Sequence, residues 1–159
     1  MAQKERTKAG ALAAVERLLD APYWVIDVLP SQVPANAGGR FFKAEGLLLK
    51  GSRREFAKVL IKLNCYHEFV VVRGEGQKIA CDPKPKKLKK WVERDSEGLS
   101  LLLPSEGALI AVPTDSTCMA LYDPSLQLLE QVQTISASEG LFVWQPSDAS
   151  DLPKSNSGQ

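Results

Sequence analysis

Apolar residues in this chain come in short runs of strand length, and nearly every run is closed by proline, glycine or aspartate. The run 23–29 is β-branched and aromatic and lies between Pro22 and Pro30. The run 69–73 is followed by Gly74, Glu75 and Gly76, then by a short apolar segment at 78–81. Three more, at 99–103, 108–112 and 117–122, are separated only by Ser105-Glu106-Gly107 and Thr114-Asp115-Ser116. Parallel neighbours need a crossover of a dozen or more residues, so connections this short dictate antiparallel pairing. The pattern predicts a hairpin at 69–81, a three-stranded meander at 99–122, and a last strand at 141–145.

Helical spacing fills the intervals. Leu12, Val15 and Leu19 predict a helix at about 8–20, stopped by Pro22. Residues 41–49 read as a short helix or an extended segment, with the helix preferred. Ser52 and Glu55 stand in the S-x-x-E relation of a capping box, which predicts a new helix start there. Phe56, Val59, Leu60 and Leu63 supply its buried stripe. Pro85, followed by Leu88, Trp91 and Val92, predicts a helix that ends near Gly98. Asp123-Pro124 predicts the start of the last one, carried by Leu126, Leu129 and Val132. Together these give an α+β fold: one domain over 1–145, with a mostly antiparallel sheet of about six or seven strands and helices packed on one face. Residues 146–159 are nearly devoid of apolar side chains and are expected to form a disordered tail.

No apolar run approaches the roughly 20 residues of a membrane span, and Glu16 and Arg17 interrupt the first candidate export segment. Cys65, Cys81 and Cys118 are odd in number and set among apolar residues. They are expected to be buried free thiols of a reducing, cytoplasmic compartment. With no Cys-x-x-Cys spacing and one histidine, His67, no metal site is expected, and no cofactor motif is present.

Charge is segregated along the chain. Up to Arg94 there are 19 Lys and Arg against 10 Asp and Glu; beyond it, 9 acidic residues accompany a single cation, Lys154. The densest basic cluster is Lys84, Lys86, Lys87, Lys89, Lys90 and Arg94, and Arg53, Arg54 and Lys58 belong to a second. Segregated charge speeds and orients association, so these residues are the expected partner-binding surface of a non-enzymatic interaction protein of adaptor, inhibitor or immunity type, with a protein as its partner. Non-specific nucleic-acid binding by the lysine-rich helix 85–94 is the alternative, with Trp91 on the apolar stripe and so not a stacking platform. An enzymatic site is a third reading, and it would have to unite Asp27, His67 and Arg40 in one pocket. Strand alternation predicts that Asp27 faces solvent or meets a cation. Asp115 and Asp123 are explained as turn and cap residues, and Gly38-Gly39-Arg40 as a loop leading into a helix.

Overall fold

The computed structural model describes residues 4–74, 76, 78–94, 97–114 and 116–146. A 3-10 turn at Lys4–Arg6 precedes helix α1 (Lys8–Leu18), then come strand β1 (Tyr23–Asp27), α2 (Arg40–Asn64), β2 (Val70–Arg73), β3 (Lys78–Cys81), α3 (Pro85–Arg94), β4 (Leu99–Leu103), β5 (Ala108–Val112), β6 (Cys118–Tyr122), α4 (Leu126–Ser138) and β7 (Phe142–Trp144). The strands form one sheet in the order β3-β2-β4-β5-β6-β1-β7, antiparallel throughout. The hairpin and meander lie where the turn residues predict, and the chain is a single α+β domain.

Strand alternation builds two unequal faces. Ile26, Val71, Leu101, Leu103, Ile110, Met119 and Leu121 point toward a layer made of α2, α3 and α4 and form the main core with Phe56, Val59, Leu60, Leu63, Leu88, Val92 and Val132. Each fully buried side chain of this size contributes roughly 1.5–3 kcal/mol. The remaining helix, α1, lies across the sheet on the opposite face. There Ala11, Ala14 and Leu18 pack on Val70, Val72, Leu102 and Leu109. Its start is capped by Thr7, whose hydroxyl accepts from Gly10 N at 3.0 Å.

Helix α2 departs from the predicted pair of segments. It runs unbroken through Ser52, whose hydroxyl donates back to the Leu49 carbonyl at 3.1 Å instead of capping a new start. A capping box needs free backbone donors, and the preceding turn already engages those donors here. At α4 the cap is Ser125, accepting from Leu128 N at 3.1 Å; Asp123, the predicted cap, instead takes a positive φ of 54° in the turn. α3 begins at Pro85 as predicted and ends at Arg94, short of Gly98. Cys65 and Cys81 are exposed and Cys118 is half-buried, so the thiols are free but not the buried set predicted from their apolar neighbours. Asp115, the Glu75 of the hairpin turn and the predicted tail from 147 onward lie outside the described residues.

Candidate functional site

The predicted basic surface is partly assembled and partly dispersed. β3 ends beside the start of β2, where Asp82 N donates to the Phe69 carbonyl at 2.8 Å, and α3 leads into β4, whose Leu99 pairs with Arg73. α3 therefore runs antiparallel to the α2 half on which it packs, and its Arg94 end approaches the Arg53 turn of α2. Lys84, Lys86, Lys87, Lys90 and Arg94 are exposed with no ion pair among the described residues, as is Arg54 on α2. Lys89 is exposed and reaches Glu93 at 2.9 Å, one turn on. Arg53 is half-buried, its guanidinium donating to the Pro113 carbonyl at 2.7 Å. Lys58 turns the other way, between Glu55 at 4.0 Å and Glu139 of the α4 end at 3.9 Å. Lys62 pairs with the same Glu139 at 2.5 Å, and its hydrogen bond holds that carboxyl below the ordinary glutamate value. Arg53 is thus engaged by a backbone carbonyl and Lys58 by two glutamates, while Arg54 stands exposed one turn before Lys58 on the same face of α2, so the three do not join the α3 lysines in one surface.

Trp91 does not offer a stacking face. Its ring packs against the main core, and the Arg73 guanidinium sits 4.2 Å from the ring centroid.

The first half of α2 was not recognised from sequence as anything more than a short helix. From Arg40 to Gly51 not one residue is buried, and the first buried position is Ser52. Phe41, Glu45 and Leu48 continue the stripe of Ser52 and Phe56 past the end of the sheet. Phe42 is 77% exposed and Leu47 79% exposed. Arg40, Lys43, Lys50 and Arg54 stand exposed along the Leu47 stripe of this arm, with Phe42 about 140° round the helix.

The third reading, one pocket uniting Asp27, His67 and Arg40, does not form. His67 sits at the α2–β2 junction, where its Nε2 meets Gln131 Oε1 of α4 at 2.5 Å. Asp27 lies on the opposite face of the sheet, beside Cys118 and Phe142 in register. Contrary to the expected solvent exposure, Asp27 is only 7% exposed, and no cation pairs with it among the described residues. Strand alternation does take it off the main core, but the 28–45 segment and Trp144 close over it. Its Oδ1 accepts from Leu29 N at 3.2 Å. Burial pushes its carboxyl above the ordinary aspartate value, against the lowering effect of the backbone N–H groups of Leu29 and Val28.

Asp27 and Glu45 line a 320 Å³ cleft with Gln32, Phe41, Thr117 and Trp144. A second cleft of 510 Å³ continues it across the sheet face, sharing Val25, Ser116 and Cys118. Its floor is made of small side chains, Ser100, Ala111 and Ala120, and the Tyr23 and Tyr122 rings, 5.0 Å apart, form part of its lining. Desolvation pushes the Tyr23 and Tyr122 hydroxyls and the Cys118 thiol upward, as an apolar recess should. The cleft exists because an 11-residue helix, about 17 Å long and 10 Å wide, cannot cover a sheet of seven strands spanning roughly 29 Å. The sequence signal was present in the alternate positions Ser100, Ala111, Cys118 and Ala120, which are too small to fill a layer.

The fold and its surfaces define an α+β domain with a cationic helical ridge, an uncovered apolar helix arm and a half-open sheet. No protein-family model matches the chain, and neither the curated proteins nor the solved structures contain a match. Among the described residues no group of His, Cys, Asp and Glu is placed to hold a metal ion, and no helix is long and apolar enough to cross a membrane.

Proposed function

We propose that this chain is an interaction protein that docks a second protein, acidic and apolar on its contact surface, along the first half of α2 and the outer face of α3. The observation that carries this reading is the α2 arm: 12 consecutive helical residues, none buried, that present Leu47 nearly bare beside Arg40, Lys43, Lys50 and Arg54, and Phe42 nearly bare about 140° round the helix. Exposed aromatic and aliphatic side chains of this size mark protein interfaces more than phosphate-binding surfaces, which rely on cations and stacking rings. The lysines of α3 supply steering charge for a partner of opposite sign. The Arg73 guanidinium over Trp91 argues against a nucleic-acid platform on the same helix.

The test is site-specific photocrosslinking in the source cells, with a benzophenone amino acid at Phe42 and a control at Ser105, which is exposed on a distant turn. A discrete protein adduct at position 42, absent at 105 and lost when Lys86, Lys87, Lys89 and Lys90 are replaced by Glu, is the expected result. Adducts to RNA or DNA would replace this reading with the nucleic-acid one. Equal labelling at the two positions, or a protein adduct that survives charge reversal in a variant of unchanged far-UV circular dichroism, would overturn it.

A further inference from the structure

The sheet-face groove lies apart from the docking arm's exposed face, and two of its properties specify a ligand. It is lined by apolar and small side chains over most of its length, so water is displaced from it favourably by an apolar body. At one end its wall carries two carboxylates, Asp27 and Glu45, while neither cleft has a Lys, Arg or His among its lining residues. A carboxylate held at 7% exposure without a cation is costly; hydrogen bonds from Leu29, Val28 and Trp144 offset part of that cost, and a bound cation would offset more.

We propose that this groove is a binding site for a small organic amine: an apolar body lies along Val25, Ala111, Ala120 and Tyr122, and its ammonium head meets Asp27, with Glu45 as the second acceptor. Charge complementarity sets the head group. A carboxylate-bearing ligand would face two like charges, and a neutral one would leave Asp27 as it is. The floor of small residues sets the body, since Ser100, Ala111 and Ala120 leave room for a ring or a short alkyl chain against the Tyr23–Tyr122 pair. The combined recess falls in the size range of ordinary small-molecule sites. The neighbouring Cys118 thiol, its proton held by burial, adds no charge to the recess.

The experiment titrates the full chain, labelled with nitrogen-15, with three probes of one carbon frame: 4-phenylbutylamine, 4-phenylbutanol and 4-phenylbutyrate. The expected result is saturable shifts of the Val25, Ala111 and Ala120 amides, with the amine binding about tenfold more tightly than the alcohol and the carboxylate weakest. Asp27→Asn should bring the amine to the affinity of the alcohol without altering alcohol binding. Glu45→Gln, on the half-exposed wall, should weaken the amine by a smaller factor and serves where Asp27→Asn fails to fold. Equal affinity for amine and alcohol in the parent chain, shifts confined to residues outside the groove, or no saturable shifts with any probe would overturn the assignment. None of these outcomes bears on the Phe42 crosslink, so the two proposals fail separately.

Discussion

Phe42 and Phe56 stand on one helix and offer the same truncation in opposite environments. Phe56 is 0% exposed in the main core, between the sheet and its neighbouring helices. Its replacement by Ala removes a whole ring from a packed layer and should cost about 3–5 kcal/mol, the usual range for a buried phenylalanine including its residual cavity. Phe42 is 77% exposed. Its replacement should move stability by no more than about 0.5 kcal/mol, with the better helix propensity of Ala offsetting what little contact is lost. A domain of this size has roughly 5–15 kcal/mol in all, so Phe56→Ala takes a large share of it and Phe42→Ala almost none. At about 2–4 °C per kcal/mol, the first should lower the melting temperature by on the order of 10 °C and the second by about 1 °C. Urea unfolding followed by far-UV circular dichroism and by tryptophan fluorescence measures both, and coincident transitions establish that a single free energy is meaningful. A loss of about 2 kcal/mol or more for Phe42→Ala at low protein concentration would mean that the arm is packed within the free chain. A loss that grows with protein concentration would mean that copies of the chain cover it. Either result refutes the view that the arm is kept open for a different protein.

Two further predictions concern single groups. Asp27 has a folded-state pKa raised by burial, so the folded chain holds its proton more tightly than the unfolded chain does. Its contribution is therefore most favourable below the unfolded value and is lost as pH rises through the folded one. Asp27→Asn should accordingly be more stable than the parent at neutral pH, with the advantage gone by about pH 3; parallel stability profiles of the two proteins would refute this. Gly76 adopts a φ of +88°, and a Cβ there would stand 2.7 Å from Leu12 Cδ2 of α1. Gly107, at φ +63°, has nothing within 4 Å of the same added atom. Gly107→Ala and Gly76→Ala should each cost about the backbone part, roughly 1–2 kcal/mol, because the Leu12 methyl is the far end of a flexible side chain and can swing aside; a clearly larger loss at Gly76 in urea unfolding would refute this by showing that Leu12 is locked in place.

Much of the architecture was legible because it rests on local chemistry. The spacing of Gly74 and Gly76, Ser105 to Gly107, and Thr114 to Ser116 leaves no room for crossovers, so antiparallel neighbours follow from chain length alone. Leu88 and Val92 had to face inward and the lysines between them outward, whatever α3 packed on. Local chemistry also misled. Ser52 and Glu55 make a good helix start only if the preceding residues are not helical, and Ser125 displaced Asp123 as a cap because the turn took Asp123 into positive φ.

The amino-acid order by itself determined which segments are strands or helices, which of their faces are apolar, and that Lys86, Lys87, Lys89 and Lys90 ride on the outside of one helix. Tertiary structure alone decided what stays uncovered. α1 is too short and narrow to cover its face of the sheet, so a recess remains over Ala111 and Ala120. The first half of α2 is left without a covering element, so Leu47 stays 79% exposed and Phe42 77% exposed, with the edge of the Phe41 ring as its aromatic neighbour. The physical reason is that a residue's propensity and periodicity depend on its neighbours in the chain, whereas coverage depends on the lengths and crossing positions of elements far apart in it.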